Sequence, residues 1–255
     1  MTDLVENYKD QYRKNEIRLW IDLSTYCNAK CPQCHRTNPN GLEKADWLPL
    51  VQWSLSEFKN MFPPKTLAHI TQFDICGTWG DPIMNKDIFE IVKYIMDNSD
   101  SEVLINTNGS FRNPDWWWNL GLLGGERISV MWAIEGATQE QHSLYRQDTN
   151  LNTVLENMET FSLSGGKSEV FTVTFKHNER DLYKIANLCK SHGAKSIFFV
   201  QSNRFYANNK FRFIDKQGME RYLEKTTIED GDFYWTPWEL DNEDHMKVIE
   251  EETKK

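Results

Sequence analysis

Six short segments rich in β-branched and aromatic residues recur at 18–25, 69–77, 102–108, 127–134, 169–176 and 195–202, with helical patterns between them. This alternation restricts the fold more than any other feature. Several segments are apolar at nearly every position, as expected of strands covered on both faces of a parallel sheet. Between them, Ile88, Ile91, Val92 and Ile95 form one helical stripe, with Asn85 as the expected N-cap. Leu151, Val154, Leu155, Met158 and Phe161 form a second stripe, stopped by Gly165 and Gly166. Leu182, Ile185, Leu188 and Cys189 form a third, ending at Gly193. The pattern over 115–123 is weaker, although "NPDWWWNL" begins like a helix. Strand–helix–strand repetition implies right-handed crossovers and a parallel sheet. The expected fold is α/β: a partial (β/α)6 TIM-like barrel over 17–225, preceded by a polar segment 1–16 and followed by a short acidic C-terminal extension, 226–255.

After Ser202 the pattern loosens. "DKQGMERYLEK" (215–225) reads as one more helix. The extension carries ten acidic residues against three lysines and shows neither a clear strand nor an apolar stripe long enough for a buried helix. Its aromatics Phe233, Tyr234, Trp235 and Trp238 are too many for a wholly disordered segment, and the expectation is that they dock on the barrel.

Because the extension holds most of the formal net charge of −9, the remainder is near neutral, and no basic surface for nucleic acid is expected. No apolar run reaches the length of a membrane span, and the N-terminus lacks the apolar stretch of a signal peptide. A cytoplasmic, reducing location follows as the default, which argues against structural disulfides.

In a parallel α/β barrel, chemistry gathers at the C-terminal ends of the strands. The unusual residues of this chain fall there. "CNAKCPQC" follows the first strand, "GTWGDP" (77–82) the second, and "NTNG" (106–109) ends the third. The fourth runs into Glu135 and Gly136, the fifth into "KHNE" (176–179), and the sixth into "QSNR" (201–204).

Three of the five cysteines, Cys27, Cys31 and Cys34, lie in that first loop, with His35 next to the last. Cys31-Pro32-Gln33-Cys34-His35 fits the c-type haem attachment pattern, but that needs an export route and leaves Cys27 unexplained. Zinc held by three cysteines and His35 is chemically allowed. Against it, adjacent Cys34 and His35 are poorly placed to share one ion, and no second ligand pair lies downstream. A redox dithiol lacks a thioredoxin-like setting. The remaining reading is a [4Fe–4S] cluster held by three thiolates, leaving one iron open to a small molecule.

The cysteine spacing after strand one resembles the signature of the radical S-adenosylmethionine (radical SAM) superfamily, over roughly residues 17 to 205. "GTWGDP" resembles that superfamily's Gly-Gly-Glu-Pro motif: Gly77 opens the loop, and Trp79, Gly80, Asp81 and Pro82 hold the matching positions. "AIEGATQEQHSLYR" (133–146) is similar to the fourth-strand region of the branch with molybdopterin-type and peptide-maturating enzymes. The resemblance implies that Cys27, Cys31 and Cys34 ligate the cluster. It implies that the 77–82 backbone meets the methionine end of SAM, that Asn106, Thr107 and Glu135 stand near the ribose, and that Arg146 faces the SAM carboxylate. It further implies an external one-electron donor, flavodoxin- or ferredoxin-like. Reductive cleavage of SAM would give a 5′-deoxyadenosyl radical that abstracts hydrogen from a small-molecule or peptide substrate.

The chain departs from the family pattern at Gln33, where an aromatic residue is usual, and at Trp79 and the shortened acid Asp81. It also lacks a cysteine-rich C-terminal region, so no auxiliary cluster is expected. Two other classes remain: a non-catalytic zinc- or cluster-binding module, and an electron-transfer iron–sulfur protein. The remaining unusual residues have plainer readings. Cys76 reads as a packed thiol, Cys189 as core, His177 and His192 as hydrogen-bonded loop or surface residues, and Trp116 to Trp118 as mostly packing, while Asn203 and Arg204 read equally as holding an anionic substrate group or as a rim salt bridge.

Overall fold

The computed structural model describes residues 17–205, 208–229, 231 and 233–254, so the polar segment 1–16 lies outside the described residues. Six strands, β1 (Ile17–Asp22), β2 (Ile70–Cys76), β3 (Glu102–Thr107), β4 (Ile128–Ala133), β5 (Lys167–Thr174) and β6 (Ser196–Gln201), pair in sequential order, each parallel to the next. The strands fall within two residues of the segments read from the sequence, except that β1 ends three residues before the first segment does. The sheet is open, with β1 at one edge, and so forms part of a barrel.

Alternation along the strands sorts the faces. Phe73 and Ile75 of β2, Val103 and Ile105 of β3, and Val130 and Trp132 of β4 are fully buried beneath the crossover helices. Their neighbours Asp74, Cys76, Asn106 and Met131 therefore take the concave face. The helices are α1 (Leu55–Met61), α2 (Pro64–Leu67), α3 (Ile88–Asn98), α4 (Pro114–Gly124), α5 (Gln139–Ser143), α6 (Leu151–Leu163) and α7 (Leu182–Ser191). The three strong apolar stripes are α3, α6 and α7, and Cys189 is fully buried on the last. The tryptophan run begins α4. Trp117 is fully buried, 4.6 Å from the Trp132 ring and 6.2 Å from Phe161, while Trp118 faces outward.

Four sequence expectations need correction. The crossover from β1 to β2 is no full-length helix: it is a long loop followed only by the short α1 and α2, with α1 started by a Ser54–Glu57 capping box. Asn85 does not cap α3, whose N-cap is Asp87. Instead its buried amide donates to the Leu23 and Trp53 carbonyls, tying the loop after β2 to the loop after β1. Residues 215–225 are not a helix. They close a hairpin of β7 (Lys210–Ile214) and β8 (Glu220–Glu224). The turn forms because Gly218 adopts φ +77° while Asp215 Oδ1 accepts from the Gln217 and Met219 amides, a local bonding scheme that competes with helix.

The fourth correction concerns the acidic extension. It contains a short strand, β9 (Pro237–Glu239), antiparallel to β6, and a helix, α8 (Glu243–Lys254), which buries Met246 and Ile249. Phe233, Tyr234 and Trp238 are buried, whereas Trp235 is 68% exposed. The helical stripe escaped notice because Met246 and Ile249 are its only buried apolar residues, set among acids. No described helix is long and apolar enough to cross a membrane.

Candidate active site

The loop after β1 turns sharply twice. The Cys34 amide donates to the Cys31 carbonyl, and the Thr37 amide to the Cys34 carbonyl. Cys31 is buried among Ala29, Tyr145, Val173 and Val200, with Phe213 and Leu223 of the β7–β8 hairpin closing over the same cluster. Cys27 and Cys34 are half-buried at its margin. The structure thus brings the three cysteines together and leaves Cys76 and Cys189 apart from them.

Two loops hold this one in place. Arg36, buried, donates through Nη2 to the Thr25 carbonyl and through Nε to the Trp79 carbonyl. The Asp81 amide donates to the Tyr26 carbonyl. On the other side Gln33 is fastened to the loop after β6: Arg204 Nη1 donates to the Gln33 carbonyl at 2.6 Å, and Ser202 Oγ to its side-chain oxygen at 2.8 Å. Arg204 thus braces the cysteine loop and makes no ion pair among the described residues. Sequence reading passed over Arg36, because an arginine next to a histidine in a loop carries no signal until its partners are known.

The motif after β2 is also tied inward. Asp81 is buried and accepts from the Ile83 amide, the Thr107 hydroxyl, and both the amide and the side chain of Asn108. Burial raises its carboxyl above the ordinary value, while the Asn108 and Thr107 donors pull the other way. Pro82 begins a buried 3-10 turn. Trp79 is half-buried, edge-on to the exposed Trp47 with ring centres 5.4 Å apart. A Cβ on Gly80 would lie 2.2 Å from the Ser24 carbonyl oxygen, so the loop after β1 by itself requires a glycine here. Gly77 is exposed, and Asn106 stands half-buried at the end of β3.

Glu135 and Arg146 meet one another. Arg146 Nε and Nη2 each reach a Glu135 oxygen at 2.7 Å, and Nη1 lies 3.5 Å from Cys31 Sγ. Burial works against the charge on Arg146, but the Glu135 carboxylate and Cys31 outweigh it and hold the guanidinium firmly protonated. His142, fully buried, was not singled out in the sequence. Its Nδ1 faces the Glu135 amide, and burial followed by the Arg146 charge lowers it to about 3. His177 is lowered to about 4 by burial; its ring stacks on Phe175, and its Nε2 has no hydrogen-bond partner among the described residues.

The donor set fits a cluster with three protein ligands. Three thiols come from one loop, and an N–H group is directed at two of them: Arg146 at Cys31 and Asn108 Nδ2 at Cys27, 3.9 Å away. Among the described residues no three His, Cys, Asp or Glu side chains converge as a single metal ion requires. A cubane places each thiolate on its own iron, so its ligands need not converge. Without metal, burial raises Cys31 to about 11, against the pull of Arg146, and burial with the Asp81 charge raises Cys27 further. Both are neutral thiols at neutral pH, and loading a metal centre would release their protons.

No family model matches the chain. Over 182 residues it is 25% identical to the AdoMet-dependent heme synthase of Methanosarcina barkeri, a match covering 70% of this chain and 49% of that protein. Over 183 residues it is 23% identical to the GTP 3',8-cyclase of Synechocystis sp., covering 71% and 53%. The chain thus spans about half the length of these curated relatives. In fold it is similar to anSMEcpe with bound AdoMet, with a TM-score of 0.57 and 20% identity over 72% of this chain and 49% of that one. It is equally similar to Streptococcus suis SuiB bound to precursor peptide SuiA, with a TM-score of 0.57 and 13% identity over 78% and 43%. These relatives and neighbours are radical SAM superfamily proteins, the family that the cysteine motif resembles.

Proposed function

We propose that this chain is a radical SAM enzyme, holding a [4Fe–4S] cluster on Cys27, Cys31 and Cys34 with S-adenosylmethionine beside it on the C-terminal rim of the sheet. The observation that carries this reading is the three-thiol loop itself, with Arg146 and Asn108 directing N–H groups at two of its sulfurs. Bound there and reduced by an external one-electron donor, such a cluster would supply the electron for reductive cleavage of SAM.

The chain's own residues prepare that site. Arg36 and Gln33 fix the two flanks of the cysteine loop, so the thiols are held in place before metal arrives. The backbone of Gly77 and Gly80 and the side chain of Asn106 are the groups assigned to SAM, since Asp81 and Thr107 are engaged with each other, the Thr78 and Trp79 amides with Asp22, and the Trp79 carbonyl with Arg36. The β7–β8 hairpin covers Cys31 with Phe213 and Leu223 and limits water there. The concave face is where a small-molecule or peptide substrate would enter, to lose a hydrogen atom to the radical formed there.

Iron and sulfide analysis, with electron paramagnetic resonance of the reduced protein with and without SAM, tests the reading. About four irons per chain and a spectrum altered by SAM are expected, with iron lost in Cys31→Ala and kept in Cys76→Ala and Cys189→Ala. Bound zinc, or a cluster indifferent to SAM, would give the site to a metal-binding or electron-transfer protein instead.

A further inference from the structure

Arg146 is held in a closed ring of contacts. Its Nε and Nη2 grip both oxygens of Glu135 at 2.7 Å, and Glu135 is fully buried. Behind the pair, the Glu135 amide donates to His142 Nδ1 at 3.3 Å. That bond leaves the ring proton on His142 Nε2, which donates to Thr149 Oγ1 at 2.9 Å. Thr149 Oγ1 in turn donates to the Arg146 carbonyl at 2.6 Å. The Arg146 amide meanwhile donates to the His142 carbonyl. Side chain and backbone of the arginine are thus both anchored, and it cannot swing away without stranding a buried carboxylate. The one guanidinium nitrogen not turned to Glu135, Nη1, is the one beside Cys31 Sγ.

We infer that the Glu135–His142–Thr149–Arg146 ring is a positioning device that keeps a permanent charge and an N–H donor on Cys31, and thereby raises the reduction potential of the cluster. The inference rests on the reading of Cys31 as a cluster ligand. The physical ground is general: hydrogen bonds to ligand sulfur and nearby positive charge stabilise the more negative, reduced cluster. Arginine suits the place because its guanidinium stays protonated and can bind a carboxylate with one edge while donating from the other nitrogen.

The test is an electron paramagnetic resonance-monitored redox titration of reconstituted wild-type protein, Arg146→Gln, Arg146→Lys and Thr149→Val, with iron content measured in each. Arg146→Gln should raise the ratio of oxidised to reduced cluster at fixed potential about tenfold, a midpoint lower by about 59 mV for one electron. Arg146→Lys should recover part of that shift, and Thr149→Val should move the midpoint a smaller distance in the same direction. Where Arg146→Gln alone loses iron, the midpoints of Arg146→Lys and Thr149→Val decide: values below wild type support the inference, and unchanged values overturn it. An unchanged midpoint in Arg146→Gln overturns it, as does equal loss of iron from both Arg146 variants, the behaviour of a mere strut. An unmoved Thr149→Val beside a shifted Arg146→Gln overturns the part given to His142 and Thr149. Wild-type protein that takes up no iron sinks the reading of the cysteine loop instead.

Discussion

The carboxylate of Asp81 takes both the backbone amide and the side-chain amide of Asn108, and that same side chain reaches toward Cys27. The acid of the loop after β2 is therefore spent inside the protein, joining the ends of β2 and β3 beneath the cysteine loop. Asp81→Ala would leave the Thr107, Asn108 and Ile83 donors without their acceptor. Each stranded buried donor costs about 1–3 kcal/mol, so a total loss of about 3 kcal/mol or more is expected in urea denaturation of the metal-free protein. An unchanged midpoint would mean that Asp81 is free to serve a ligand.

Gly80 leads to a related expectation. The added methyl of Gly80→Ala would meet the backbone of Ser24 and Thr25 at 2.2 to 2.7 Å. Backbone cannot move aside as a flexible side chain can, so melting temperature and iron uptake should fall together, and Gly80→Val should fail to fold. A Gly80→Ala protein with wild-type melting and a selective loss of SAM affinity would show that the glycine faces ligand after all.

The sheet and the location of the site were legible because they rest on local signals. Six apolar strands, three clean helical stripes and a three-cysteine loop each speak for themselves. The contacts of the site were not legible. Glu135, His142 and Arg146 lie within twelve residues of one another, yet nothing in their spacing says that they bond to each other, because the turn that follows the short α5, with the Arg146 amide on the His142 carbonyl, decides where the arginine points. The Arg204–Gln33 brace joins residues far apart in the chain and has no local signature. The hairpin at 210–224 was misread because "MERYLEK" has fair helical propensity, while Asp215 and Gly218 impose a turn and the partner strand decides the pairing.

Two histidines set an acid limit on stability. His177 at about 4 and His142 at about 3 both lie below the ordinary value of 6.5. As pH falls, the unfolded chain takes up these protons before the folded one does. Their contribution is thus complete above about pH 6.5 and declines below it, levelling near pH 4 for His177 and near pH 3 for His142. The slope is up to ~1.4 kcal/mol per pH unit for each group. His177→Phe keeps a ring against Phe175 and removes the unpartnered nitrogen, so no loss at neutral pH and a shallower acid slope are expected. Urea titrations of the metal-free protein between neutral pH and about pH 5 measure both, and an equal slope in the variant would rule out His177 as a contributor.

The acidic extension should be needed for folding. Phe233 stacks on Phe199 of β6 at 5.0 Å, and Trp238 lies 5.5 Å from Phe233 with its indole N–H on the Phe233 carbonyl. Strand β9 completes the edge of β6, and Met246 and Ile249 of α8 enter the same core as Ile185 and Cys189 of α7. At the start of the extension Glu179 accepts from the Thr226 and Thr227 hydroxyls and the Thr227 amide. Truncation after Lys225 would bare Ile197 and Phe199 and open the β6 edge, a surface prone to association. The truncated chain should therefore aggregate or melt far below the full one. Two milder variants separate packing from anchoring. Trp238→Ala should cost about 3–5 kcal/mol through the cavity it leaves. Glu179→Gln, which keeps the shape but weakens the charged acceptor, should cost about 1–2 kcal/mol. Both are read by urea denaturation beside iron content, because neither residue lies at the cysteine loop and metal uptake should survive in the folded fraction. A truncated chain with unchanged melting would make the extension a dispensable appendage. Loss of iron from well-folded Trp238→Ala would instead tie it to the site itself.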